Sequence, residues 1–160
     1  MEKKYIGFEL LIFNSLDELH SNDAYLLEQA EKARQNSYSP YSKFSVGAAL
    51  LLESGNVILG SNQENASFPA GLCAEGVALF NAGANHRTEI IKAIAITAGS
   101  EENLVNRPVP PCGICRQSII EYEKNQKSPI RILMKGQYGP IYICDSISDL
   151  LPLGFDSSFL

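Results

Sequence analysis

The sequence predicts an α/β fold, a three-layer α/β/α sandwich built around a central mixed sheet. Two observations carry that expectation. Strand-like and helix-like segments succeed one another in the order strand, helix, hairpin, helix, strand, helix, strand, strand, and a sheet fed in that way is covered by helices on both faces. The chain has 160 residues, enough for one domain that buries about 68–70% of its unfolded surface without disulfide staples.

The elements follow in order. Ile6, Phe8, Leu10 and Ile12 recur at period two and read as a strand, so residues 1–20 are expected to be an N-terminal extension that adds an edge strand to a domain of residues 21–160. Leu26, Leu27, Ala30 and Ala33 recur at helical spacing between Asp23 and Gln35, and Asn36-Ser37-Tyr38-Ser39-Pro40 stops that helix. Residues 44–52 and 57–60 form a hairpin through Glu53-Ser54-Gly55-Asn56. Residues 72–82 read as a helix, and 90–97 as a buried strand with little alternation. After a loop comes a second helix from Cys112 to about Lys124. A strand at 130–134, a turn at 136–140 and a last strand at 141–144 complete the pattern. The two later helices then start from the same side of the sheet.

Eighteen acidic residues against thirteen basic ones leave a net charge of -5. That balance disfavours nucleic acid as a partner, because phosphate contacts need clustered Lys and Arg, and it favours a small-molecule substrate. Met1-Glu2-Lys3-Lys4 before an apolar run imitates a signal sequence, but Glu9 interrupts the run and no small-residue cleavage site follows. With no long apolar stretch to enter a membrane and four cysteines, the expectation is a cytoplasmic, soluble protein.

The residues that carry chemistry are Cys73-Ala74-Glu75 and, downstream, Pro111-Cys112-Gly113-Ile114-Cys115. Three thiols and a carboxylate resemble the zinc site of nucleobase deaminases, in which the metal keeps one coordination position for water. Zinc brings the pKa of bound water to about 7, and a carboxylate is still needed to move protons from water to a ring nitrogen and to the departing amine. Glu75 is the only acidic residue in either segment and takes that role. Cys73, Cys112 and Cys115 take the metal. Cys112 and Cys115, three apart at a helix start, present sulfurs on one face. Cys73 and Glu75, two apart, cannot face each other inside a regular helix, so Cys73 is expected at the helix entry with a backbone that is not yet helical. Cys144 sits in the apolar run Ile141-Tyr142-Ile143-Cys144 and reads as packing. A thioredoxin-like redox pair would account for Cys112 and Cys115, but it gives Cys73 and Glu75 nothing to do.

Six motifs, the two cysteine segments among them, make the chain resemble the homotetrameric cytidine deaminase family, in order, from about Tyr38 to Leu160. They are Ser39-Pro40-Tyr41-Ser42, Phe44-Ser45-Val46-Gly47-Ala48-Ala49, Asn62-Gln63-Glu64-Asn65-Ala66, the two cysteine segments with Arg116-Gln117, and Leu150-Leu151-Pro152 with Phe155. The resemblance implies hydrolytic deamination of cytidine and 2′-deoxycytidine in pyrimidine salvage, with Zn2+ as cofactor and a homotetramer with shared active sites. It implies that Asn62 and Glu64 hold the ribose hydroxyls, that Phe44 packs on the pyrimidine, that the Ala74 backbone N–H meets the pyrimidine carbonyl, and that Phe155 reaches a neighbour's site. Two positions depart from the family. Gly76 stands where Arg commonly follows Cys-Ala-Glu, leaving Arg116 and the two helix N-termini to offset the thiolate charge. Phe68 stands where Tyr is common. Two other readings stay open: a deaminase of a different aminated heterocycle, and a non-catalytic module in which Cys144 completes a four-thiolate structural zinc site. His20 and His86 lie in polar surroundings and read as surface residues.

Overall fold

The computed structural model describes residues 1–160. The strands are β1 (Leu11–Phe13), β2 (Phe44–Leu52), β3 (Val57–Ser61), β4 (Ile91–Ser100), β5 (Arg131–Lys135) and β6 (Ile141–Cys144). The helices are α1 (Ser21–Arg34), α2 (Ala74–Asn85), α3 (Gly113–Gln126) and a single-turn α4 (Ile147–Leu150). The strands form one sheet in the order β1-β6-β5-β4-β2-β3. Only β4 and β5 run parallel; every other neighbour is antiparallel. A parallel pair needs a crossover, and α3 is that crossover.

The period-two alternation of β2 separates the two cores. Ala48, Leu50 and Leu52 join Ile94, Ile96, Ile132 and Met134 beneath α2 and α3, whose Ala78, Leu79, Ile119 and Ile120 close that side. Ala49 joins Ala93, Ala95, Leu133, Ile141 and Ile143 under Leu26, Leu27 and Ala30 of α1. The layers are therefore α1, sheet, and α2 with α3, as expected for the α/β/α sandwich. Two helices share the face opposite α1, and both cysteine-bearing entries lie there. At Gly60 in β3, a Cβ would collide with the Ala74 carbonyl and crowd the Ala78 N–H. The missing side chain lets the first turn of α2 settle on the strand.

The first strand is shorter than its alternation implies. It pairs only Leu11, Ile12 and Phe13 with Ile143, Tyr142 and Ile141, because its sole neighbour, β6, is four residues long. Residues 1–10 have no regular structure, and β1 does stand at the sheet edge. Other boundaries shift less. The first helix begins at Ser21 rather than Asp23, the buried strand continues past Thr97 to Ser100, and the fifth strand begins at Arg131. Pro111 lies just before Cys112, the cap of α3.

Candidate active site

Cys73 and Cys112 occupy equivalent positions, each the residue that caps a helix. Their backbones are extended, with φ/ψ of -73°/152° and -66°/168°, and neither side chain bonds to its own helix end. Both sulfurs are thus left pointing outward from helix entries. Cys115, in the first turn of α3, supplies the third. The Cys73 and Cys112 Sγ atoms lie 3.6 Å apart, and all three sulfurs lie within 4.8 Å of one another. Tetrahedral zinc with Zn–S bonds of about 2.3 Å sets sulfur–sulfur edges of roughly 3.8 Å. The three thiols therefore fit zinc with little movement. Hydrogen bonds from the Cys115 thiol and then from Cys112 outweigh burial and lower the Cys73 thiol to about 6. The same bond to Cys73, followed by burial, pushes Cys115 up.

Ala74 and Glu75 begin α2 directly after the first ligand. Ala74 is fully buried and Glu75 is 5% exposed. Burial lifts the Glu75 carboxyl to about 7, and the charge of Cys73 adds to it, against hydrogen bonds from its own N–H and from Cys115. A carboxyl so poised can hold or release a proton near neutrality. As first residue of the helix, Ala74 keeps a backbone N–H that no intrahelical carbonyl accepts.

The second group of expected residues is tied to the first through backbone. Gln63 and Leu72 exchange a pair of 2.9 Å hydrogen bonds, which holds the segment carrying Asn62 and Glu64 against the residue that precedes Cys73. Asn62 is engaged within the chain. Its Oδ1 accepts from Ser37 Oγ at 2.6 Å and Val46 N at 2.8 Å, while Nδ2 donates to the Phe44 carbonyl at 2.9 Å. An amide oxygen has two lone pairs and the nitrogen two hydrogens, so one N–H remains for a ligand. Glu64 Oε2 accepts from Tyr41 N at 2.9 Å and Ser42 N at 3.3 Å, and Oε1 is free of these bonds. Glu64, Tyr41 and Phe68 line a cavity of about 430 Å³. The Ser42 side chain, then those two amides, bring the carboxyl below its usual range. Ser42 Oγ also accepts from the Phe44 N–H at 3.0 Å. Ser42 lies inside the Ser39-Pro40-Tyr41-Ser42 motif, whereas no motif or periodicity in the sequence marks Ser37.

Phe155 joins neither group within one chain. Its ring stacks on Phe159 with centroids 5.6 Å apart, its carbonyl accepts from Gln117 Nε2, and it is 56% exposed. Arg116 does not compensate the thiols by direct contact. Its guanidinium donates to the Pro111 and Leu150 carbonyls, both at 2.8 Å, leaving the positive ends of α2 and α3 as the nearest built-in compensation. At Gly76 an added Cβ would have only Phe80 as a neighbour, at 3.5 Å, so the position is roomy and empty of charge. Cys144 is fully buried in the α2–α3 core and belongs to no metal-holding group. A four-thiolate site is therefore not formed. His86 pairs with Glu89 at 2.9 Å, and His20 is exposed at the position before α1, with no side-chain bond to the helix end.

Comparison with known proteins agrees with this geometry. The family profile described as the cytidine and deoxycytidylate deaminase zinc-binding region matches residues 20–128. A cytidine deaminase of Halalkalibacterium halodurans is 49% identical over 96 residues, which are 60% of this chain and 68% of that protein. One of Sporosarcina psychrophila is 44% identical over 97 residues, 61% of this chain and 67% of that protein. Among solved structures, cytidine deaminase from Burkholderia pseudomallei superposes with a TM-score of 0.71 at 39% identity, covering 82% of this chain and 97% of that one.

Proposed function

Since the chain belongs to the cytidine and deoxycytidylate deaminase zinc-binding family, we infer that it is a hydrolase that converts cytidine to uridine and ammonia. The observation that carries this reading is three sulfurs brought to one point by two helix entries, beside a buried carboxylate. Zinc held by Cys73, Cys112 and Cys115 supplies the Lewis acidity that makes water nucleophilic at neutral pH.

The remaining work falls to the chain. Glu75 takes a proton from the attacking water and delivers it to the ring nitrogen N3, then takes the remaining proton from the new C4 hydroxyl and delivers it to the exocyclic amine. The C4–O bond forms, the C4–N bond breaks, and nitrogen leaves as ammonia. The free N–H of Ala74 donates to the pyrimidine carbonyl, and Phe44 packs against the ring. The unengaged N–H of Asn62 and Oε1 of Glu64 are left for the ribose hydroxyls. Because the 2′-hydroxyl adds only one of these contacts, the reading extends to 2′-deoxycytidine, within pyrimidine salvage.

The reading also includes a homotetramer with shared sites. Phe68, 77% exposed, meets Tyr41 edge to face at 6.1 Å beside Glu64, and Phe155, stacked on Phe159, stays more than half exposed; both suit a neighbour's pocket. The four free cysteines suit a reducing cytoplasm. No helix is long and apolar enough to cross a membrane. Incubating the zinc-loaded protein with cytidine tests the reading. Ultraviolet absorbance should move to that of uridine with release of ammonia, and an unchanged spectrum at high enzyme concentration would overturn it.

A further inference from the structure

The apolar N-terminal segment does more than extend the sheet. Phe8 and Leu10 form one wall of a cavity of about 790 Å³, whose other walls include Phe44 and Pro110. Pro110 is two residues from the ligand Cys112, and the Phe44 carbonyl is bound by Asn62. The cavity thus shares Phe44 with the candidate substrate residues and ends, at Pro110, two residues along the chain from a zinc ligand, at a size ordinary for small-molecule pockets.

Its walls are built differently. The stretch through Val105 and Asn106 is clamped to the turn between β5 and β6. Val105 N donates to Gln137 Oε1 at 3.3 Å, and Tyr138 N donates to the Val105 carbonyl at 3.2 Å. Gly139, at φ +85°, leaves no room for a Cβ against the Asn106 carbonyl. Residues 1–10 take part in no backbone hydrogen bond outside the ladders, and the β1 ladder starts only at Leu11. That wall is held by its side chains. Phe8 is 46% exposed, so it presents one side to the cavity and the other to solvent.

Resting on the reading that Phe44 packs the pyrimidine, we propose that Phe8 and Leu10 are specificity-determining residues. They form an adjustable apolar wall on the base side of the pocket and set how large an apolar substituent on the cytosine ring the enzyme accepts. Apolar pockets sort ligands by size because each misplaced methylene loses burial or forces a clash, and one methylene discriminates by roughly tenfold or more.

The test compares kcat/KM for cytidine and for cytidines carrying methyl, ethyl and propyl at C5. The parent, Phe8→Ala, Leu10→Ala and Phe8→Trp are assayed, with Tyr5→Ala, at 92% exposure, as control. Zinc content and melting temperature establish folding, and Phe8→Trp serves should the alanine variants not fold. Phe8→Ala and Leu10→Ala should shift the preference towards the larger analogues by about tenfold, mainly through KM, Phe8→Trp should shift it the other way, and Tyr5→Ala should match the parent. A preference unmoved in folded, active variants overturns the wall while leaving deamination intact. A parent without activity on cytidine overturns the function and the wall together.

Discussion

Glu123 on α3 accepts a hydrogen bond from the backbone N–H of Ile130 at 2.8 Å, with both groups buried. The same carboxylate accepts from Ile147 N at 3.1 Å, Ser146 Oγ at 2.7 Å and Ser148 Oγ at 2.6 Å. One side chain therefore fastens the ligand-bearing helix to the entry of β5 and to the start of α4. Burial raises its pKa, but the bonds from Ser148, Ile130, Ser146 and Ile147 together outweigh burial and bring it below the usual carboxylate value. Its folded pKa being depressed, its stabilisation is complete above the unfolded value of about 4.3 and is lost as pH falls through the folded one. Glu123→Gln should cost about 2–3 kcal/mol at neutral pH, and the difference from the parent should shrink as the medium is acidified below pH 4.3 or so. Urea denaturation across that range checks it; a gap that stays constant with pH refutes it.

Glu75→Gln should bind zinc at one ion per chain yet lose activity by a factor of about 10³ or more, since the amide keeps the shape and removes the proton carrier. Metal analysis and steady-state kinetics on one preparation make the comparison, and near-parental turnover would remove Glu75 from the chemistry.

Cys144→Ser should leave zinc content and turnover close to those of the parent. Burial, followed by Asp149 and Asp145, raises this thiol to about 11, so it stays a neutral packing group. A hydroxyl in its place lowers stability by about 1–3 kcal/mol. Loss of bound zinc in this variant would contradict the three-ligand site.

Chelation should abolish activity and lower the melting temperature while leaving far-ultraviolet circular dichroism and a cooperative transition in place. The ligands at the two caps stand outside the large buried side chains that make both cores, so metal binding adds mass-action stability to a fold that exists without it. An unfolded apoprotein would show that zinc is structural as well.

Removing residues after Pro152 takes away Phe155 and none of the ligands. Nucleoside affinity should fall by about 1–3 kcal/mol with zinc retained. Light scattering on the full chain should give about four times the 17.5 kDa protomer mass, and a fully active monomer would refute site sharing.

Much of the fold and most of the metal site were legible because they rest on short-range rules. The hairpin through Glu53-Ser54-Gly55-Asn56, the helical spacing of Leu26, Leu27, Ala30 and Ala33, and the two-residue offset between Cys73 and Glu75 all have local physical meanings, and the structure keeps each. What escaped depends on partners distant in sequence. The period-two pattern at Ile6 to Ile12 could not reveal that β6 is too short to pair with most of it, so Phe8 and Leu10 serve a cavity instead of a ladder. Arg116 reads as a free cation beside a thiolate, but its engagement with the Leu150 carbonyl arises only when the C-terminal segment folds back. Asn62 reads as a ligand group, and three hydrogen bonds within the chain are visible only once Ser37, Phe44 and Val46 surround it.

The pairing of Leu11 with Ile143 joins the first of the six strands to the sixth. On the ribosome, β2, β3 and α2 emerge with Cys73 already at its helix entry, and α3 later brings the other two cysteines, while β1 has no template until residues 141–144 leave the exit tunnel. Metal capture can thus precede closure of the sheet edge. A chain ending just before Ile141 would hold every ligand and the proton carrier with its N-terminal segment adrift, exposing Phe8, Leu11 and Ile12 as an unpaired apolar strand, the kind of segment that recruits other chains.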